Sequence, residues 1–254
     1  MRFSILLTLL LSTSCAYISA LKAKKSETRK LNGDLKYEFV DTMGSFVKLR
    51  KKGFNSEKNL VVKSIIYREN KSDLPVEKLI SISKKNHQIS EVKLLMPLKS
   101  EVTYWFDGSR YKSTISIDSS SNKLTVVSRS KEKQWNLKKE KPINVNKNAY
   151  CFFSQMIECV RESGFFKRAR VTRSGSMKIE VIWDGHPFFN EQYLNNKSEI
   201  ISRGKFSYVS KEAQGVHKYA LSIDGQIINY FIYDDQYLAK MFWVSQGISQ
   251  TLME

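Results

Sequence analysis

The chain has 254 residues, 41% of them apolar and 12% aromatic, enough to bury a core and to exclude wholesale disorder. Its formal net charge is +17, with 29 Lys and Arg against 14 Asp and Glu in residues 21–150, but 12 against 11 in residues 151–254. The N-terminal half therefore carries either a face that attracts an anionic membrane surface or envelope polymer, or a lysine-rich face met only by solvent. Nucleic acid is not the expected partner.

Residues 1–20 have the layout of a secretory signal peptide: Arg2, a leucine-rich run from Phe3 to Leu11, then small and polar residues ending at Ala20. The apolar run is too short to span a bilayer, which takes about 20 residues. These features predict an exported protein, periplasmic or envelope-associated. Cys15, after Leu11-Ser12-Thr13-Ser14, offers the alternative of a lipid anchor, although Ser12 stands where the lipoprotein pattern prefers leucine. Residues 21–35 are polar and charged and read as a loose arm.

From residue 36 to 254 the pattern predicts a single β-rich domain in two halves, 36–146 and 167–254, joined by a helix. The first half opens with a strand pair around Met43-Gly44 and a β-branched run from Leu60 to Tyr67. Asp73, Pro75 and Glu77 resemble the first turn of a helix, predicting a short helix over 74–84. Strands resume at Val92. A strand, an Asp-Gly turn and a second strand then recur three times, at Asp107-Gly108, Asp184-Gly185 and Asp224-Gly225, and the fullest version runs from Lys178 to Leu194. Asp and Gly tolerate the positive φ of a type I′ turn, so the motif predicts antiparallel hairpins. Between the halves, Asn148 as a cap, Phe152, Met156, Cys159 and Val160 at helical spacing, and Gly164 as a stop predict the central helix, 147–164. The fold class that follows is mainly β: a curved antiparallel sheet or half-barrel built of hairpins.

Candidate sites are compositional. Trp105, Trp135, Trp183, Phe188, Phe189, Phe242 and Trp243 are candidate contacts for a lipid or other apolar ligand, with ordinary sheet packing as the competing reading of each. Lys131, Lys133, Lys138 and Lys139 surround Trp135, and Lys167, Arg168 and Arg170 follow Phe165-Phe166; these are candidate contacts to an anionic surface. Cys151 and Cys159 would stand about 12 Å apart along one straight helix, which favours two buried thiols; a disulfide requires the helix to break between them. His87, His186 and His217 have no metal-ligand spacing, no cofactor motif is present, and a Cys151–histidine nucleophile has no local signature. Asn70-Lys71-Ser72 and Asn196-Lys197-Ser198 match the glycosylation acceptor pattern.

Signal, hairpins and central helix together resemble uncharacterised exported β-rich proteins of the Gram-negative envelope. More distantly, the arrangement is similar to lipoprotein-carrier half-barrels of the LolA/LolB type. That resemblance implies a sheet wrapped around an apolar cavity and an envelope binding protein for a lipid or other apolar ligand. The competing expectations are an exported hydrolase of envelope glycans or peptides, which requires a perturbed carboxylate or cysteine in a polar cleft, and a subunit that docks on a partner protein.

Overall fold

The computed structural model describes residues 34–69, 71–106, 108–194, 199–212 and 215–253. The signal peptide, the arm up to residue 33, Cys15, Asp107, Asn70 and Asn196 to Ser198 lie outside the described residues. Among the described residues, fifteen strands form one sheet. They are β1 (Leu35–Asp41), β2 (Gly44–Phe54), β3 (Leu60–Arg68), β4 (Lys71–Ile89), β5 (Val92–Phe106), β6 (Ser109–Asp118), β7 (Lys123–Arg129) and β8 (Leu137–Pro142), then β9 (Tyr150–Phe152), β10 (Ser176–Ile182), β11 (Ile201–Lys211), β12 (Val216–Ile223), β13 (Gln226–Tyr233), β14 (Tyr237–Trp243) and β15 (Ile248–Leu252). In space the order runs β8 to β1, then β15 down to β9. Every neighbouring pair is antiparallel except β9 and β10. Two meanders are thus stitched together where β1 pairs β15, Tyr37 opposite Leu252.

The sheet is curved and closes by packing at its ends. Ile115, Ile117, Leu124 and Val126 of β6 and β7 share one core cluster with Phe152 of β9 and Ile182 of β10. A larger cluster fills the concave side with rings from both meanders, including Tyr37, Trp183, Phe206, Tyr219 and Trp243. Non-directional burial of these side chains is the main force holding the curve.

The Asp-Gly signals divide. Asp224 and Gly225, at φ 47° and 74°, close β12–β13 with Ile223 opposite Gln226. The same two-residue spacing joins Phe106 to Ser109 in β5–β6. Asp184-Gly185 makes no hairpin. After β10 the chain turns inward, the His186–Pro187 peptide is cis, residues Asn190–Leu194 form a π-helical turn, and only at Ile201 does the partner strand begin. The cause is the Asp184 carboxylate, which accepts bonds from Ser100 Oγ and from the Ser154 amide (2.7 Å) and holds the turn inside the sheet.

Two helix expectations are corrected. Residues 74–84 are the middle of β4, where Leu79, Ser81 and Ser83 are buried at alternate positions. Pro75 sits opposite Tyr67 at a register shift, where a residue lacking an amide hydrogen is tolerated. Residues 147–164 are not one helix: Tyr150–Phe152 pair in parallel with β10, a 3₁₀ turn covers Phe153–Gln155, and helix α1 spans Met156–Glu162. Gly164, at φ 69°, separates it from a second helix, α2 (Phe165–Thr172), which carries Phe165-Phe166 and the basic residues after them.

That break brings the two cysteines together. Cys151 and Cys159 form a disulfide with Cα atoms 6.2 Å apart, and both are buried. Closing a loop of sequence separation 8 restricts the unfolded chain by about 2.5 kcal/mol in the chain-entropy picture. The double variant Cys151→Ala/Cys159→Ala is therefore expected to lose about that much unfolding free energy in urea titrations. A loss below about 0.5 kcal/mol would mean that the bridge adds nothing beyond the packing around it.

Candidate functional site

The inner wall of β3 to β7 is unusual in carrying small hydroxyls where large apolar residues are expected. Ser64, Ser81, Ser83, Ser100, Ser113 and Ser128 are buried there. Their size leaves room for an internal plug made of the chain from Phe153 through α1 and the turn at Asp184 to Phe189. Their hydroxyls satisfy its polar groups. Ser83 Oγ donates to Gln155 Oε1, Ser154 Oγ to Ser81 Oγ (3.0 Å), Ser100 Oγ to Asp184, and Ser113 Oγ to the His186 carbonyl (2.5 Å). Gly185 is required beneath it, because a Cβ there would run into the Tyr104 ring.

Between plug and wall lies a cavity of about 110 Å³. One row of paired residues crosses it on the inner face of five consecutive strands: Tyr37, Lys48, Ile66, Glu77 and Tyr104. All five line the cavity, with Phe39, Tyr193, Phe189 and Trp243 among the other walls. Lys48 and Glu77 are half-buried, and both line the cavity. Burial pulls the Lys48 ammonium's pKa down and pushes the Glu77 carboxyl's up, each charge partly offsetting the effect on the other. No ion pair within 4.0 Å forms between them among the described residues, and Lys48 Nζ stands 5.6 Å from the centroid of Phe39. Burial also raises Asp184, against the hydrogen bonds from Ser100 and Ser154.

Further along β2, toward Lys52, Arg50 Nη2 donates to Glu158 Oε2 of α1 at 2.7 Å, with both side chains largely buried. Burial opposes both charges. The Arg50 guanidinium, with Arg161 and Lys52 adding to it, nonetheless holds Glu158 below the usual carboxylate range. Burial and the neighbouring Glu158 charge help to push Tyr37 up to about 12. Arg161 closes the far end by donating to the carbonyls of Asp235 (2.8 Å) and Gln236, and exposed Gln236 and half-buried Lys52 mark the mouth there.

At the opposite end an open cleft of about 350 Å³ is walled by Phe46, Val76, Phe106, Tyr111, Trp135 and Phe188, with Trp105, Met43, Arg68, Glu191 and Gln192 at its margins. Phe188 is its centre, with rings of Tyr111 (5.0 Å), Trp135 (5.4 Å) and Tyr104 (6.4 Å) around it. The 3₁₀ turn Lys133–Trp135 places the Trp135 ring in the cleft while Lys131, Lys133 and Lys138 stay exposed beside it.

The aromatic candidates from the sequence therefore separate. Trp105, Trp135 and Phe188 border the cleft, and Phe189 and Trp243 border the inner cavity. Trp183 is core: its ring stacks 6.0 Å from Trp243, and its Nε1 donates to Ser202 Oγ at 2.9 Å. Phe242 lies on the outer face against Phe231 and under Lys240, since it alternates with the inward Met241 and Trp243. The basic candidates fall on two elements. Lys131, Lys133, Lys138 and Lys139 are exposed around β8, while Lys167 is exposed on α2, where Arg168 is tied to the Ser163 carbonyl and Arg170 to Asp235 (3.2 Å). Lys48, Glu77, Arg50 and Glu158 are absent from the sequence candidates. Cross-strand pairing from Tyr37 and Phe39 through the Met43-Gly44 turn would have placed Lys48 and Phe46 on the inner face.

Among the described residues no group of three His, Cys, Asp or Glu is placed to hold a metal ion. Nor is any helix there long and apolar enough to cross a membrane. No protein-family model matches the sequence, and no curated protein matches it either. Among solved structures, the chain is similar to a crystal structure of a β-barrel-like protein of domain of unknown function DUF1849 from Brucella abortus, at TM-score 0.43 and 7% identity, over 87% of this chain and 93% of that one. So distant a likeness says nothing about what the chain does.

Proposed function

We propose that the protein is an exported, envelope-associated binding protein that takes an apolar or amphiphilic ligand in the aromatic cleft. The observation that carries the reading is the cleft itself: its volume of about 350 Å³ is of the size that small-molecule pockets have, roughly 300–1,000 Å³. Its aromatic walls offer stacking area to a ring or acyl segment. Arg68 at the margin, with Lys131 and Lys133 beside Trp135, favours an anionic head or an anionic surface over a neutral one. The leader-like residues 1–20 support export. A hydrolase of envelope glycans or peptides is less well served: the raised carboxylates Glu77 and Asp184 belong to the inner cavity, and about 110 Å³ admits no polymer chain.

Fluorescence titration with 1-anilinonaphthalene-8-sulfonate, an anionic aromatic probe, and with neutral N-phenyl-1-naphthylamine tests this. Saturable binding of both is expected. Trp135→Ala should weaken each by about tenfold, the equivalent of about 1.4 kcal/mol. Arg68→Gln should weaken only the anionic probe. Linear, unsaturable signals, or a Trp135→Ala protein that binds as the parent does, would remove the cleft as a site.

A further inference from the structure

The inner cavity has an organisation that an apolar-ligand cleft does not require, and we propose that it is a second, separate site that binds a small zwitterion, a molecule with an acidic and a cationic group on a short apolar body, as in an α-amino acid or a betaine. The geometry starts from the row Lys48–Ile66–Glu77. Lys48 is paired in register with Ile66, and Ile66 with Glu77, so the two charged residues stand two strands apart, about 10 Å between backbones, with a buried isoleucine between them. Both side chains project from the same face of the sheet into this space and do not close on each other within 4.0 Å among the described residues.

The other charged groups that line the cavity are engaged or stand at its mouth: Arg161 holds the carbonyls of Asp235 and Gln236, and half-buried Lys52 marks the entrance. Arg50 is held by Glu158, and Asp184 by Ser100 and Ser154. That leaves the Lys48 ammonium and the Glu77 carboxylate, half-buried and with no ion pair within 4.0 Å among the described residues, lining a pocket of about 110 Å³. Charges drawn partly out of water are costly unless a partner meets them. An anion alone would satisfy Lys48 and repel Glu77, and a cation alone would do the reverse. A zwitterion satisfies both and leaves the net charge of the pocket unchanged. Ile66, Phe39, Tyr104 and Trp243 supply apolar and aromatic wall for the body between the charges, and ring faces suit an alkylated ammonium. The volume sets the size. An apolar cavity of about 150 Å³ takes benzene, so this one takes a body of a few heavy atoms and excludes a lipid. Access lies past Lys52 and Gln236, at the end away from the aromatic cleft.

The test is calorimetric and thermal-shift titration of the full chain with four zwitterions, each against its matched anion and cation: L-alanine with propionate and ethylammonium, L-valine with isovalerate and isobutylammonium, L-proline with cyclopentanecarboxylate and pyrrolidinium, and glycine betaine with 3,3-dimethylbutyrate and tetramethylammonium. At least one zwitterion is expected to raise Tm and to bind at least tenfold more tightly than either single-charge analogue. Lys48→Met and Glu77→Leu should each lose that binding by tenfold or more. The exchange Lys48→Glu/Glu77→Lys should keep it to within a few-fold, because the ligand can reverse. Trp135→Ala should leave it unchanged, which separates a failure here from a failure of the cleft. The proposal is overturned if every zwitterion binds no better than its analogues, or if Lys48→Met and Glu77→Leu proteins with native circular dichroism bind as the parent does.

Discussion

Glu158→Ala is expected to lower the unfolding free energy by about 3–5 kcal/mol, a large part of the 5–15 kcal/mol that holds an ordinary domain together. The reason lies less in the strength of the Arg50–Glu158 bond than in what its loss leaves behind. Arg50 projects from β2 into the interior with a side chain 13% exposed, Glu158 meets it from α1 at 6%, and the contact is 2.7 Å. With Glu158 gone, Arg50 keeps a 3.3 Å hydrogen bond to the Ser154 carbonyl, and water from the cavity it lines brings no compensating charge. The double variant Arg50→Met/Glu158→Leu removes both charges and is expected to recover most of the loss, or to exceed the parent by up to about 4 kcal/mol. Urea midpoints of the parent, both single variants and the double variant close the cycle. A single-variant loss below about 1 kcal/mol would show that the interior is wetter around Arg50 than the structure places it.

Acidification gives the second large effect. Burial lowers His186 to about 4, against an unfolded value of 6.5; Lys139 and Lys141 reinforce the shift, and Asn190 and Glu199 oppose it. Between those values the unfolded chain binds a proton that the folded chain refuses, so stability falls as pH drops from about 6.5 to 4 and loses nothing further on this account below 4. The loss from this one group is on the order of 3 kcal/mol. Glu77 and Asp184 act in the other sense, since burial raises both and their penalty at neutral pH is relieved as acid protonates them. The comparison that isolates the histidine is therefore parent against His186→Leu, with the unfolding free energy measured at pH 7 and at pH 4.5. The parent should lose about 2–3 kcal/mol more than the variant across that interval. Equal losses would mean that His186 takes up its proton in the folded state near the ordinary value.

The β class was legible because hairpin chemistry is local: Asp224-Gly225 sets its own positive φ angles whatever surrounds it. Asp184-Gly185 has the same two residues and a different fate, decided by Ser100 and Ser154, which are 84 and 30 residues away. Nothing in the local pattern reports such partners. The stretch from Leu74 failed for a related reason. Asp, Pro and Glu in order mimic a helix start, while the alternation of Leu79, Ser81 and Ser83 was obscured because its inward members are small and polar. The interior charges were hidden by the usual rule that polar residues face water. On β2 that rule puts Val47 and Leu49 inside and Lys48, Arg50 and Lys52 outside. The strand does the reverse for the three basic residues, all of which line the cavity. Sites are where such local rules break, so the inverted face of β2 was itself the missed signal.

The seam between β1 and β15 makes the molecule a circular permutant of a plain meander. Joining the chain after Leu252 to the chain before Leu35, and opening it between Pro142 and Tyr150, would give an order in which each strand's neighbour in the sheet is also its neighbour in sequence, apart from the plug. As it stands, the one pairing that unites the two halves joins Tyr37 to Leu252, the most distant partners in the sheet. Each half can zip through local pairings, whereas the central seam joins residues of the greatest sequence separation in the sheet, the kind of contact that slows folding.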